Sequence, residues 1–124
     1  MRTEAPRPDE ERLAAILEAA KRITVRTARG RAAFDADEDT QIVLLHLIQV
    51  IEEVAARLSD GLIAQHPEVP WRQIIATRNR VVHGFFEVAP DILWDVAVID
   101  VPQLASQVLA IQSRLAAGKS PEES

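Results

Sequence analysis

Apolar side chains recur every three or four residues along one long stretch of this chain, and this spacing restricts the possible folds more than any other feature. The apolar positions form one broad helical face: Val43, Leu44, Leu47, Ile48, Ile51, Val54, Ala55, Leu58 and Leu62. A helix with such a face must pack against other elements. The sequence therefore predicts a long helix over about residues 38–65, which bends or loses its final turn at Gly61.

Prolines and glycines start and stop the remaining elements. We predict a first helix over residues 9–29, a third over 70–84 and a short fourth that opens at Pro90. A break at Asp100–Pro102 precedes a fifth helix, which ends at Gly118. The acidic run Asp35–Asp39 is expected to cap and solvate the start of the long helix, where negative charge suits the helix dipole.

The composition suits a single all-α domain. In 124 residues, 48% are hydrophobic and 27% charged, with only four glycines. We expect an all-α bundle of about five helices at residues 9–118, between a flexible N-terminus (1–8) and a flexible tail (119–124). Cysteine is absent, so the sequence offers no disulfide framework and no thiolate site.

Charge distribution bears on location and partners. Met1–Glu11 is charged and contains proline, unlike the apolar region of a signal peptide, and Ile42–Val54 is too short and polar to span a bilayer. We therefore expect a cytoplasmic protein with no membrane partner. A net charge of -5 argues against a general nucleic-acid coat but allows one local basic site for RNA.

The segment Arg78–His83 combines arginine, asparagine and histidine side chains that together can carry out chemistry. On a helix, Asn79, Arg80 and His83 share one face, and Arg78 lies further round. Histidine can transfer a proton to or from a ribose hydroxyl, and arginine can neutralise charge on a phosphoryl group. The same spacing also fits ion-paired arginines with His83 capping the helix end. The residues alone leave both interpretations open.

A wider stretch resembles a known family. Trp71–Ile75, Arg78–Phe86, Ile92–Asp95 and Asp100–Pro102 are similar to segments of the HepT-like ribonuclease toxins, which belong to the HEPN superfamily of helical domains. The resemblance covers roughly residues 10–115, in order and without large gaps. Its most specific part runs from Pro67 to Trp94.

The resemblance implies a HEPN bundle that forms a homodimer and cuts RNA without a metal or other cofactor. Arg78 and His83 match the family's catalytic pair, which lines a cleft between subunits. Asn79 would orient the histidine or the phosphate, and Arg80 would support binding. The implied partners are an RNA substrate and a minimal nucleotidyltransferase antitoxin. The implied role is therefore that of the toxin in a toxin–antitoxin pair.

Three positions depart from the family pattern. Some antitoxins transfer AMP to a tyrosine two residues after the motif histidine, but that position is Phe85 here and the chain has no tyrosine. Glu52 stands where a glycine commonly precedes the acidic residue, here Glu53. Gln49 stands where an acidic residue is common. The departures concern regulation and activity rather than the fold.

Other polar and aromatic residues have simpler interpretations. His46 and His66 lack partners at metal-ligand spacing, so we expect structural or surface roles for them. Glu52 and Glu53 are adjacent and point to different sides of a helix; Glu53 faces either the motif cleft or solvent. Trp71 and Trp94 are expected in core or dimer packing rather than base stacking.

Two alternatives to a ribonuclease stay open. The chain could be a non-catalytic helical binding module that pairs with a nucleotidyltransferase, which fits the missing tyrosine and the acidic charge. It could also be a nucleotide-binding subunit in which Arg78 and Arg80 hold a phosphate.

Overall fold

The computed structural model describes residues 7–75 and 89–118, and every regular element within them is helical. In chain order these elements are α1 (Arg7–Thr27), α2 (Arg31–Ala36), α3 (Glu38–Ala56), α4 (Asp60–Gln65), α5 (71–75), α6 (Pro90–Asp95), a π-helical segment (Val96–Asp100) and α7 (Val101–Ala117). The predicted all-α fold is confirmed and fits a HEPN-type bundle.

Helix α1 lies at the centre of the core, because it packs against both α3 and α7. Its apolar stripe is fully buried at Leu13, Ile16 and Ile23. Leu44 of α3 and Ile111 of α7 are likewise 0% exposed. The predicted apolar face of the long helix is therefore the face that is buried.

The chain turns sharply between α1 and α2. Gly30 adopts φ +96°, a conformation that side chains with a Cβ rarely adopt. The sequence predicted the stop at Gly30 but not the short helix α2 that follows it. Phe34 explains that helix, because α2 carries its ring into the core, where it is 2% exposed.

The helix predicted over residues 38–65 is divided in two, but the break does not lie at Gly61, where a bend or a separate final turn was predicted. Helix α3 ends at Ala56, and Ser59 begins α4 by accepting a hydrogen bond from Leu62 N at 3.2 Å. The break thus precedes Gly61, which lies inside α4. Its physical cause is an N-cap at Ser59 that Asp9 of α1 holds in place.

The predicted break at Asp100–Pro102 is also wrong, because helix continues from Pro90 to Ala117. Val101 N–H donates to Val96 O, five residues back, and Val101 keeps helical angles (φ −65°, ψ −46°) immediately before Pro102. Proline in a regular helix clashes with the carbonyl four residues earlier. The wider π turn relieves this clash, so the helix passes through the proline.

The helical run Pro90–Ala117 has the length and composition of a membrane-crossing helix, with a mean hydropathy of 1.3 over its most apolar window. Core helices of water-soluble bundles pass the same test. Here Leu104, Val108 and Ile111 are buried in the cluster that includes α1. Of that most apolar window, 28% is buried inside the bundle.

Candidate functional site

The motif residues of the sequence lie between two described parts of the fold. Arg78, Asn79, Arg80, His83 and Phe85 belong to residues 76–88, which are outside the described residues. The structure describes α5, which leads into this segment, and α6, which follows it. The predicted roles of these five residues therefore stay predictions.

Trp71 anchors the start of α5. Its side chain is 4% exposed, and its indole Nε1 donates to the carbonyl oxygen of His66 at 3.0 Å. Ile74 N donates to Pro70 O at 3.0 Å, which closes the first helical turn. The expected packing role of Trp71 is confirmed, and it fixes where the chain enters the motif segment.

The loop before α5 is also tied to α7. The backbone carbonyl of Glu68 accepts a hydrogen bond from Gln107 Nε2 at 3.0 Å. The side-chain carboxylate of Glu68 lies 3.4 Å from His66 Nδ1 and 3.7 Å from Arg114 Nη1. The pKa of Glu68 is lowered mainly because its carboxylate accepts a hydrogen bond from its own backbone amide. The hydrogen bond with His66 lowers this pKa further. These contacts hold α5 against the bundle.

A cavity of about 600 Å³ opens beside α5. Residues from α3, α5, the π segment and α7 line it: Ile48, Ile51, Glu52, Pro70, Gln73, Ile74, Val96, Asp100, Val101, Gln103, Leu104 and Gln107. Gln73 and Ile74 are the described lining residues nearest in sequence to the motif. In sequence, the segment that contains the motif begins two residues after Ile74.

Glu52 is the buried carboxylate of this cavity, with 3% exposure, whereas the adjacent Glu53 is exposed. Sequence reasoning considered only Glu53 as the residue that might face the motif, and it missed Glu52. The helical repeat carried the missing information, since Glu52 follows the buried Ile48 by four residues and precedes the buried Ala55 by three.

A second polar cluster joins α2 to α6. Arg31 donates from Nε to Asp35 at 2.8 Å and from Nη2 to Asp91 at 2.5 Å. Beneath it, the rings of Phe34 and Trp94 lie 5.1 Å apart at an angle of 53°. Trp94 is thus a packing residue, as expected, and this exposed ion pair fixes the start of α6.

The remaining histidine, His46, is exposed on α3. Among residues 7–75 and 89–118, no group of three His, Asp or Glu side chains is placed to hold a metal ion. The acidic run has the predicted capping role: Asp37 accepts hydrogen bonds from Asp39 N at 3.0 Å and from Thr40 Oγ1 at 2.8 Å.

Comparison with known proteins gives matches to a single family. The family model of the HepT-like ribonucleases matches residues 16–111, a range that includes Arg78 and His83. A probable ribonuclease HepT of Thermococcus cleftensis is 30% identical over 71 residues, which cover 57% of this chain and 64% of the relative. A candidate RNase of Methanocaldococcus jannaschii is 30% identical over 69 residues, or 56% of this chain and 57% of that protein.

The chain thus covers less than two thirds of the length of either relative. No solved structure matches the chain. The family model alone spans well over half of the 124 residues. This protein belongs to the HepT-like ribonuclease family.

Proposed function

We propose that this protein is a metal-independent endoribonuclease and the toxin of a toxin–antitoxin pair. The observation that carries the proposal is the family match over residues 16–111, which includes the whole segment from Arg78 to His83. The names of the relatives, which give ribonuclease or RNase, support the same reaction class. The packing of Trp71 supports it further, because it gives the motif segment a fixed point of entry.

The proposed reaction uses the ribose 2′-hydroxyl as nucleophile. His83 acts as general base on that hydroxyl or as general acid on the leaving 5′-oxygen. Arg78 stabilises the negative charge that develops on the phosphoryl oxygens, Asn79 orients the histidine or the phosphate, and Arg80 supports binding. Each chain supplies one motif histidine, so the second proton transfer falls to a water or to the same residue of a symmetry mate. This requirement favours a homodimer.

A minimal nucleotidyltransferase is the proposed antitoxin, and the cytoplasm the proposed location. The chain contains no tyrosine, and Phe85 has no hydroxyl to accept AMP. Silencing by tyrosine modification is therefore excluded on chemical grounds. We propose that the antitoxin inhibits this member by binding alone.

The test is cleavage of total RNA and of tRNA by the purified protein in EDTA. We expect cleavage by the wild type, and loss of at least about a hundredfold in rate for His83→Ala. His46→Ala is the matched control, because His46 is exposed on α3. Helicity and dimer content are compared across all three proteins. Equal cleavage by the His83→Ala variant and the wild type would overturn the mechanism.

A non-catalytic binding module is the second candidate. Phe85 at the family's modified position and the net charge of -5 favour it. It predicts no cleavage by any of the three proteins, together with a stable complex between the chain and the nucleotidyltransferase that His83→Ala leaves intact. The same protein preparations therefore separate the two candidates.

A further inference from the structure

Positive charge is concentrated in one stretch of the chain, the second half of α1 and the start of α2. Residues 19–34 contain five of the 14 basic residues of the chain and none of its 19 acidic residues. The five are Lys21, Arg22, Arg26, Arg29 and Arg31. The structure describes every residue of this stretch. It is therefore a strongly positive segment in a protein whose net charge is -5.

Arg31 differs from the other four cations, because it forms ion pairs with Asp35 and Asp91. The other four form a set that we call the basic row: Lys21, Arg22, Arg26 and Arg29. Among the described residues, no carboxylate lies within ion-pairing distance of any member of the basic row. The basic row thus keeps its positive charge, whereas the charge of Arg31 is balanced.

Two carboxylates lie at the ends of the basic row. Glu18 is exposed on α1, one turn before Arg22. At the other end, a hydrogen bond from Thr40 is the main cause of the lowered pKa of Asp37, and the charge of Arg29 contributes to it. These two carboxylates weaken the positive potential at the ends of the row more than in its middle.

The helical repeat arranges the basic row as a line along the surface. Arg22, Arg26 and Arg29 follow a spacing of four and three residues, so they lie on one side of α1 and extend about 10 Å along its axis. Arg22 and Arg29 are exposed, and Val25 between them is 57% exposed. Arg26 Nη1 donates to the carbonyl oxygen of Arg22 at 3.0 Å, which holds its charge beside the preceding turn.

The helix dipole explains only part of this charge pattern. Cations are favoured in the last turn of a helix, and Arg26 lies in the last turn of α1. Lys21 and Arg22 precede that turn. Arg22 and Arg26 are like charges four residues apart, and such a pair destabilises a helix. A bound anion would remove this repulsion, so the arrangement favours a negatively charged ligand.

We propose that the basic row binds the phosphate backbone of an RNA strand, an inference that rests on the proposed ribonuclease function. Phosphates repeat along the strand, so a line of cations can follow them without reading the sequence. Three of the four residues in the row are arginines, whose guanidinium groups can donate two parallel hydrogen bonds to one phosphate. In an acidic protein, a local positive surface attracts RNA that the rest of the surface repels.

An acidic protein surface would be the other polyanion for the basic row. Interfaces between proteins are commonly centred on large apolar and aromatic side chains. In residues 19–34, Val25 is the only large hydrophobic residue that is exposed. The predominance of charge over apolar surface in this stretch favours RNA.

The test measures binding of a single-stranded 2′-O-methyl RNA of mixed sequence to the full chain. The methyl group blocks the 2′-hydroxyl, so binding is measured without cleavage. We expect Arg22→Gln and Arg29→Gln each to weaken binding by about threefold to tenfold, by similar factors for two unrelated sequences. Each should also reduce the slope of log affinity against log salt concentration by about 0.7. Arg57→Gln is the matched control, because Arg57 is an exposed arginine outside the stretch.

Glu18→Gln tests the same surface in the opposite direction. Its charge lies one turn before Arg22, so its removal should tighten RNA binding by about twofold to threefold. A purely structural role of the basic row would not produce tighter binding. Circular dichroism of all the variants checks that their helicity equals that of the wild type.

Three outcomes would overturn the proposal. The first is absence of RNA binding by the wild type, and the second is wild-type affinity in both Arg22→Gln and Arg29→Gln. The third is binding of poly-L-glutamate that matches RNA binding at the same salt concentration and falls equally in these two variants. That result would identify an acidic polypeptide as the partner of the basic row.

The result can be told apart from that of the proposed function. His83-dependent cleavage, with RNA binding that Arg22→Gln and Arg29→Gln leave unchanged, removes the proposed role of the basic row and keeps the ribonuclease. RNA binding that depends on Arg22 and Arg29, in a protein that cleaves no RNA, removes the ribonuclease and keeps the RNA-binding surface.

Discussion

Asp9 and Ser59 are fifty residues apart in sequence and joined by two hydrogen bonds. The Asp9 carboxylate, 2% exposed at the start of α1, accepts from Ser59 N at 2.9 Å and from Ser59 Oγ at 2.5 Å. Ser59 Oγ in turn accepts from Leu62 N at 3.2 Å. One buried carboxylate thus fixes the N-cap of α4 and the break that separates α4 from α3.

Asp9→Ala should destabilise the fold by about 1–3 kcal/mol, because it leaves the Ser59 amide without its acceptor in a partly buried site. Urea denaturation followed by circular dichroism measures this change. Glu11→Ala removes an exposed carboxylate of the same helix and should change stability by less than about 0.5 kcal/mol. Equal effects of the two substitutions would contradict the buried role of Asp9.

Gly30→Ala and Gly61→Ala should change stability in opposite directions. Gly30 has φ +96°, so a Cβ there is strained by about 1–2 kcal/mol although no atom lies within 4 Å of it. Gly61 lies within α4 with no neighbour within 4 Å of a built Cβ, so alanine should stabilise by about 0.5–1 kcal/mol. Thermal denaturation of the two variants shows whether each substitution raises or lowers the stability of the fold. A stabilising Gly30→Ala would mean that the turn after α1 does not need positive φ.

The stability of the fold should fall in acid partly because of Asp37. A side-chain hydrogen bond from Thr40 is the main cause that holds the pKa of Asp37 below its ordinary value of 3.8. A lowered folded-state pKa stabilises the fold above the unfolded value, and this contribution is lost as the pH falls through the folded-state pKa. Asp37→Asn should therefore flatten the loss of stability below about pH 4, as urea titrations at several pH values would show. An unchanged slope would contradict this role.

Phe34→Ala should be the most damaging single substitution in the short helix α2. The ring is 2% exposed, packs in the core and contacts Trp94 at a centroid distance of 5.1 Å. Its loss should cost about 3–5 kcal/mol, a large share of the stability of a domain this size. Val25→Ala, at a residue 57% exposed, is the control and should stay near the wild type. Tryptophan fluorescence during unfolding measures the stability of both variants.

Phe85→Tyr tests the regulation that follows from the proposed function. With the partner nucleotidyltransferase and ATP, the wild type should gain no AMP on tyrosine, because its sequence contains none. The variant restores the hydroxyl at the family position, and we expect its mass to rise by AMP units. Intact-protein mass spectrometry distinguishes the two. AMP transfer to the wild type would show that another side chain is the acceptor.

The apolar repeat and the capping residues determined much of this fold from sequence alone. The apolar face that includes Leu44, Leu47 and Ile48 predicted the buried side of α3, and Asp37 was predicted as part of a capping run; the structure confirms both. These features depend on residues three or four apart, and such local relations can be read from a linear sequence. The motif around Arg78 and His83 was likewise found from sequence, although its residues lie outside the described part of the structure.

Only the tertiary structure decided where the helices break and which carboxylate turns inward. A new helix starts after Ser59 because Asp9 reaches Ser59 from the start of α1. Pro102 does not end a helix because a π turn precedes it. Glu52, rather than Glu53, lies in the cavity because α5 and α7 supply its other walls. Each outcome depends on contacts between residues far apart in the chain, and local propensity contains no information about them.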